Sequence, residues 1–215
     1  GPMGQMHVIR LICAGVENLS VVGTDFDDER LESLRQKAEP LANERHIKLS
    51  LVNPQTSPVT GRFSYFAIMA PVAPLVAQSI KDSAEGALIN IFAGIPASVK
   101  QDIDLDTYIE RKCFMFGTSG SRLSDMKIVL EKVLDGQLDT NCSVDAVCGM
   151  AGAIEGIRAV EARALAGKII VYPELVDLPL TTLESLREKY PTVAEKFENG
   201  IWTKAAEDAL LDNAD

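Results

Sequence analysis

Short apolar runs alternate with stretches of helical periodicity along most of the chain. The apolar runs that predict strands are residues 19–24, 47–52, 65–70, 87–93, 113–117, 144–147 and 168–172. Amphipathic stretches between them, such as 28–44 and 123–134, predict helices. This alternation is typical of an α/β fold, in which right-handed crossovers join parallel strands. Because the strand runs are short and unbroken, we expect both faces of the sheet to be covered.

The helix predicted over 28–44 has a clear start signal. Asp27 stands where an N-cap is expected, and Asp28 and Glu29 follow in the first turn, where the helix dipole favours acids. From residue 173 onward the chain is acidic, and we predict a pair of solvated surface helices there, tethered by Trp202 and Leu210-Leu211. The whole pattern predicts a doubly wound parallel sheet followed by a helical tail.

Composition narrows the possible classes. The chain has 215 residues, 47% of them hydrophobic, and a net charge of −10. An acidic surface disfavours binding to nucleic acid or to an anionic membrane. No apolar stretch is long enough for a membrane span, and no signal-like segment opens the sequence. The four cysteines form no closely spaced pair, so we expect reduced thiols in a cytoplasmic protein.

The first four residues, Gly1-Pro2-Met3-Gly4, open the first predicted helix. Glycines at a helix start let a pyrophosphate approach backbone N–H groups. Gly1 and Gly4 fit the second and third glycines of the dinucleotide fingerprint, whose first glycine and strand would lie upstream. Alternatively, Gly1-Pro2 is the remnant of a cleaved tag ahead of a start at Met3.

Asp25 ends the second strand of that fingerprint, at the position where an acid binds the adenosine ribose. Such a carboxylate repels a 2′-phosphate and so favours NAD over NADP. Asp25 could instead be one of the acids at the helix start, and a methyltransferase also places an acid there for its cofactor. Arg30, on the following helix, fits either the adenine edge or an ordinary surface position.

Later strand ends add residues on the expected nicotinamide side. Ala93-Gly94 follows one strand, and Thr118-Ser119 follows the next. Gly94 could equally form a simple turn, and Ser119 could cap the next helix. No histidine is placed to activate a serine, and no Cys or His spacing matches a metal site. We therefore assign no catalytic residue and no metal ligand.

Several segments together resemble the zinc-containing, medium-chain alcohol and polyol dehydrogenases. They are GPMGQM, VVGTDFDDERL, ALINIFAGIP, FGTSGSRLSDMKIVLEKV and AGKIIVYPELVDLPLTTLESL. The L-sorbose 1-phosphate reductase-like and sorbitol dehydrogenase-like group is the branch that the sequence suggests, and the resemblance covers nearly the whole chain. The family joins a zinc-binding catalytic domain to a Rossmann domain that binds NAD(P), and this chain is similar to the second part.

The resemblance implies a set of cofactor-binding residues. By position these are Gly1, Pro2, Met3 and Gly4 at the pyrophosphate, Asp25 at the ribose, and Ala70, Pro71, Phe92, Ala93 and Gly94 at the nicotinamide end, with Thr118 and Ser119 added on a weaker likeness. It implies an NAD-binding domain over 1–138, a return segment over 139–173 that would pack on the missing catalytic domain, and a tail over 174–215. Family dimers that pair sheet edges near residues 113–117 imply a homodimer or tetramer.

The expected fold is therefore α/β, a Rossmann-like doubly wound parallel sheet that lacks its first strand. Without that central strand, both of its neighbours lose a hydrogen-bonding partner. We expect the cofactor half of an NAD-dependent, zinc-dependent dehydrogenase acting on a polyol or sugar phosphate, inactive alone, with zinc bound only in the missing half. The alternative is a non-catalytic nucleotide-binding or oligomerisation module derived from such an enzyme, or a strand supplied by another chain.

Overall fold

A computed structural model describes residues 1–117 and 120–213 of the chain. Its elements, in chain order, are α1 (Pro2–Ile12), β1 (Ser20–Thr24), α2 (Asp28–Glu44), β2 (Lys48–Val52), β3 (Phe63–Ile68), α3 (Ala73–Lys81), β4 (Ser83–Ile91), α4 (Leu105–Glu110), β5 (Phe114–Gly117), α5 (Leu123–Leu134), a 3₁₀-helix (Thr140–Ser143), β6 (Val144–Cys148), α6 (Met150–Glu161), β7 (Lys168–Val171), β8 (Thr181–Thr182), α7 (Leu183–Lys189), α8 (Pro191–Ala194) and α9 (Lys204–Asp212). The predicted alternation is confirmed.

Some element ends differ from the sequence prediction. Strand β4 runs over Ser83–Ile91 rather than 87–93. It stops earlier because the backbone N–H groups of Phe92 and Ala93 both donate to the carbonyl oxygen of Ile68, at 3.2 and 2.9 Å. This turn ends the ladder and directs the chain away from the sheet.

The chain divides into two compact units. The first contains residues 1–53 together with the chain from Val133 onward, and the second contains residues 54–132. The division into 1–138, 139–173 and 174–215 stays a prediction. No helix among the described residues combines the length and apolar character that crossing a membrane requires.

In the first unit, β1 and β2 form a parallel pair, in register from Ser20 opposite Lys48 to Thr24 opposite Val52. Helices α1 and α2 pack on it around a core of Val8, Ile9, Ile12, Val21, Leu34, Ala38, Ala42, Leu138 and Cys142. Gly23 permits this packing, because a Cβ there would lie 2.8 Å from the Leu51 side chain. Strand and helices thus place the loop after β1 at a fixed position.

The rest of the first unit is a second small sheet covered by the tail. Strand β6 pairs with β7 in parallel and with β8 in antiparallel orientation. The core beneath contains Val144, Val147, Tyr172, Leu186, Val193, Trp202, Ala206 and Leu210, among others. Trp202 is 1% exposed and Leu210 is buried. These two residues anchor the tail as predicted, and α7, α8 and α9 pack on the sheet rather than standing free in solvent.

The second unit is built on the parallel sheet β3–β4–β5. One face packs against α3 around Ile68, Val76, Ile80, Ala87, Ile89 and Cys113. The sheet places the ends of β3 and β4 side by side, and with them the loops that begin at residues 69 and 92.

Sheet edges follow the pattern that we predicted for a fold without its first strand. Among the described residues, β1 is hydrogen-bonded to β2 alone, and β3 is hydrogen-bonded to β4 alone. Each strand therefore has one unpaired edge within its own unit, and unpaired strand edges are places where a further strand can add.

Candidate nucleotide site

The C-terminal end of β1 lies beside the start of α1 in the first unit. The backbone nitrogen of Gly1 is 3.3 Å from Oδ2 of Asp25. Gly1 is the N-cap of α1 and carries no side chain that could cap the first-turn N–H groups. A helix start of this kind offers N–H donors to an anion. The structure therefore brings together the glycine turn and the acid that the sequence singled out separately.

The chain's own packing does not explain the two glycines of this turn. A Cβ added at Gly1 or at Gly4 would meet no heavy atom within 4 Å. Both backbones therefore face open space, as the close approach of a phosphate group requires. Pro2 occupies the first helical turn, where its missing N–H costs nothing, and Met3 is exposed.

Asp25 and Asp27 have different partners. The Asp27 carboxylate caps α2, accepting from the backbone N–H groups of Glu29 and Arg30 at 3.0 and 3.1 Å. Asp25 accepts from the N–H of Asp27 through Oδ1, at 3.2 Å, and directs Oδ2 toward Gly1. Capping is thus performed by Asp27, and the Asp25 carboxylate lies at the strand end, 28% exposed.

Arg30 is held by the protein itself. Its Nε lies 3.2 Å from Oδ2 of Asp27, and its Nη2 donates to the carbonyl oxygen of Arg163 at 2.9 Å. Two of the guanidinium nitrogens are therefore engaged within the first unit. Its proposed place at an adenine edge stays a prediction.

Two neighbours of Asp25 were missed by sequence reasoning. Asn53, directly after β2, is 8% exposed and donates from Nδ2 to the Phe26 carbonyl and to Oδ1 of Asp28. Phe26 is 62% exposed at the end of β1, so its ring is open to a flat apolar partner. The ends of parallel neighbouring strands meet at one edge, which was the signal that could have identified Asn53.

The remaining predicted residues belong to the second unit. Ala70 and Pro71 follow β3 and are exposed, while Phe92, Ala93 and Gly94 follow β4. The bonds from Phe92 and Ala93 to Ile68 hold the two strand ends together. The sheet thus gathers these five residues at one edge. Thr118 and Ser119 lie outside the described residues.

Two buried amide side chains have atoms without a hydrogen-bond partner among the described residues. The Nε2 and Oε1 atoms of Gln5, in α1, have no partner among the described residues, and neither has Oδ1 of Asn90, in β4. The other end of Asn90 donates to the Tyr65 hydroxyl at 3.4 Å. An unpaired buried polar group costs roughly 1–3 kcal/mol. Each unit therefore carries at least one group that a further partner would satisfy.

The environment of the cysteines is that of buried packing residues and not of reactive thiols. Cys113, Cys142 and Cys148 are buried, as predicted. Burial and the nearby Asp139 raise the pKa of the Cys142 thiol to about 11, and burial also raises the pKa of Cys13. These thiols stay protonated at neutral pH. Within the described residues, no three His, Cys, Asp or Glu side chains are grouped as metal ligands.

A small apolar cavity lies away from this site in the first unit. Its volume is about 120 Å³, and its walls include Ile9, Cys13, Leu41, Arg45 and Cys142. Pockets for cofactors and drug-sized ligands are several-fold larger, about 300–1,000 Å³. The cavity is therefore a packing void rather than a dinucleotide site.

Comparisons with known proteins show the fold. No known family model matches the sequence. The chain is 30% identical over 233 residues to the uncharacterised protein YggP of Escherichia coli (strain K12), a match that covers 98% of this chain and 54% of that protein. The chain thus spans about half the length of the curated relative that it matches.

Solved structures of alcohol dehydrogenases share this fold. The 2R,3R-butanediol dehydrogenase of Bacillus subtilis is 18% identical, with a TM-score of 0.64 over 80% of this chain and 48% of that enzyme. The alcohol dehydrogenase rspB of Escherichia coli CFT073, complexed with NADH, is 17% identical, with a TM-score of 0.55 over 80% and 49%. A putative zinc-binding dehydrogenase of Sinorhizobium meliloti 1021, bound to NADP, is 18% identical, with a TM-score of 0.54 over 72% and 45%.

The resemblance to medium-chain dehydrogenases is therefore confirmed at the level of the fold. The matched region is the C-terminal half of those enzymes, and it includes their Rossmann-like domain. Sequence identities below 20% establish a shared architecture. The choice of substrate and cofactor depends on the residues of this chain.

Proposed function

We propose that this chain is the cofactor-binding part of a nicotinamide-dependent dehydrogenase that acts on a polyol or sugar phosphate. The observation that carries the proposal is the position of the Asp25 carboxylate, which lies at the end of β1 beside the start of α1 and leaves the capping of α2 to Asp27. It joins an anion-accepting helix start to a ribose-binding acid at the end of β1. Fold neighbours that bind NADH and NADP support the same class of ligand.

Each group of the site has a proposed task. Gly1, Pro2, Met3 and Gly4 bind the pyrophosphate through their backbone, and Asp25 accepts hydrogen bonds from the adenosine ribose. Phe26 offers an apolar surface to the adenine. Ala70, Pro71, Phe92, Ala93 and Gly94, with Thr118 and Ser119, are proposed for the nicotinamide end. The bound dinucleotide supplies the hydride acceptor or donor, while the chain binds and orients it.

We propose NAD rather than NADP as the cofactor. The Asp25 carboxylate lies at the end of β1, where a 2′-phosphate on the ribose would bring a second negative charge. We assign no zinc ligand to the described residues, and we expect the zinc of the complete dehydrogenase outside them.

A fluorescence titration with NADH tests the proposal. The full chain should bind NADH, and Asp25→Ala should weaken NADH binding about ten- to hundredfold while NADPH binding changes little, because the ribose loses its acceptor and the 2′-phosphate loses its repulsion. Glu29→Ala is the control, since it removes an exposed acid in the first turn of α2 that caps nothing. Failure of the wild-type chain to bind NADH at millimolar concentration contradicts the proposed function.

A non-catalytic association module is the second candidate. Within the part of the chain that the structure describes, strand β5 is hydrogen-bonded along one edge only, to β4, and Phe114 on it is 59% exposed. These features support a homodimer that pairs β5 edges. Sedimentation distinguishes the two candidates when it is combined with the titration, because a dimer that binds no nucleotide fits the module alone.

A further inference from the structure

Asn53 is a buried polar residue with an unusually specific pair of partners. It directly follows β2, and its Nδ2 donates to the Phe26 carbonyl oxygen at 3.1 Å and to Oδ1 of Asp28 at 2.9 Å. Both partners only accept hydrogen bonds at these atoms, so the group that faces them must be the amide NH₂. The orientation of the side chain is therefore set by its chemistry.

These two bonds span the loop between β1 and α2. One reaches the residue after Asp25, and the other reaches the first residue of α2. Asp25 itself accepts from the N–H of Asp27, the residue between them. Asn53 thus holds the backbone carbonyl of Phe26 and the side chain of Asp28, the residues on either side of the Asp27 N–H that orients the Asp25 carboxylate.

The neighbouring strand supplies this constraint through the sheet register. Thr24 pairs with Val52, so the residue that follows β1 and the residue that follows β2 lie side by side. The N–H of Asp25 also donates to the Val52 carbonyl oxygen, at 3.4 Å. The end of β2 therefore contacts the β1–α2 loop through the backbone at Val52 and through the side chain at Asn53.

We propose that Asn53 is a positioning residue that sets cofactor selectivity by fixing the loop that carries Asp25. This inference rests on the proposed function and adds a determinant of the choice between NAD and NADP. Because Asn53 acts on the loop and not on the cofactor, its loss lets the Asp25 carboxylate turn away from the ribose. Discrimination then falls more than overall affinity.

The test is the ratio of the NADPH and NADH dissociation constants, measured by titration of the full chain. Asn53→Leu keeps the branched shape and the number of side-chain heavy atoms, and it removes both N–H donors. We expect the ratio to fall about tenfold, the factor that corresponds to one charge-assisted hydrogen bond. A purely structural defect would instead weaken both cofactors equally and leave the ratio unchanged, which would overturn the inference.

A double-mutant comparison shows whether Asn53 acts through Asp25. In the Asp25→Ala background, Asn53→Leu should change the ratio by less than about twofold, because the group that it positions is gone. A further fall of the same size as in the wild type would assign Asn53 an independent role and contradict the inference.

Milder variants keep the test valid if Asn53→Leu fails to fold. Asp28 is exposed, so its substitution perturbs little else. Asp28→Ala removes one acceptor of Asn53 together with a charge, whereas Asp28→Asn removes the charge and keeps an acceptor oxygen. We expect the ratio to fall further in Asp28→Ala than in Asp28→Asn. Equal ratios in these two variants would contradict the inference.

Failure of the inference is distinguishable from failure of the proposed function. If the wild-type chain binds neither nucleotide, the proposed function fails. If it binds NADH selectively and none of the Asn53 or Asp28 variants shifts the ratio, the proposed function stands and the positioning role of Asn53 fails.

Discussion

Helices α2 and α5 arise from the same kind of amphipathic pattern but differ in what the protein does with them. Helix α2 buries Leu31, Leu34, Ala38 and Ala42 against the first unit's core. Helix α5 buries no residue, and Leu130 at its centre is 57% exposed. Periodicity therefore predicted both helices correctly, but it did not indicate that only α2 would be covered.

The two helices differ in burial because the strands around them in the chain are arranged differently. Helix α2 stands between two parallel strands that pair with each other, so the crossover lays its apolar face on the sheet. Leu138 and Cys142, from far along the chain, complete the same core. Helix α5 follows β5, and over residues 120–213 no later strand joins the β3–β4–β5 sheet and lays α5 back on it. The apolar face of a helix is buried when the chain continues into a strand that pairs beside the preceding one, so that the helix packs on the sheet.

Substitution of a leucine in each helix should give the largest contrast. Leu34→Ala should lower the free energy of unfolding of the first unit by about 3 kcal/mol, through lost burial and a cavity. Leu130→Ala should change it by less than about 0.5 kcal/mol, because that side chain is already in solvent. Denaturant unfolding followed by the fluorescence of Trp202, the single tryptophan, measures both values.

Trp202 is a suitable probe because it lies in the first unit and is buried, and its neighbour Ile201 packs on the core that contains Leu34. A fall of 2 kcal/mol or more in the free energy of unfolding of Leu130→Ala is about the cost of a cavity in a core. It would mean that α5 is covered in solution. That result would remove the contrast between the two helices.

Removal of an ion pair should have the second largest effect on stability. Lys37 of α2 lies 2.6 Å from Asp145 of β6, and the two side chains are only 12% and 16% exposed. Lys37→Met should cost roughly 2 kcal/mol, because it leaves a largely buried carboxylate without its partner. The double variant Lys37→Met with Asp145→Asn should recover most of that loss. Lys127→Met on exposed α5 is the control and should change stability by less than about 0.5 kcal/mol.

An unchanged midpoint in Lys37→Met would show that water replaces the lysine at little cost. The pair would then contribute nothing to holding α2 on the β6 sheet, and α2 would be held by apolar burial and by its other hydrogen bonds. The same denaturation experiment distinguishes these outcomes, because the slope with denaturant reports whether the unfolded surface has changed.

Local signals in the sequence were sufficient to predict much of the first unit's secondary structure. The apolar run before Asp25, the cap at Asp27 and the period of α2 each depend on near neighbours, so all three were predictable. Gly1 and Asp25 were singled out separately, and a general rule about strand ends brought them together.

Other features depend on residues that are distant in sequence. Arg30 bonds the carbonyl of Arg163, 133 residues further along the chain, which no periodicity reveals. Asn53 was not singled out from the sequence, because its partners Phe26 and Asp28 become visible only in the sheet register. The uncovered face of α5 is likewise a matter of topology, since its sequence pattern is that of a buried helix.

The smallest effect concerns the first turns of the two helices. Asp27→Ala should lower the stability of the first unit by about 1 kcal/mol, because the N–H groups of Glu29 and Arg30 lose their acceptor. Asp27→Asn keeps a capping oxygen and should retain most of the stability. In α5, Asp125 accepts from the N–H of Arg122 at 2.8 Å, and Asp125→Ala should leave the Trp202 transition unchanged. If Asp125→Ala shifted that transition as far as Asp27→Ala does, α5 would unfold together with the first unit, and its exposed face would have to be covered during folding.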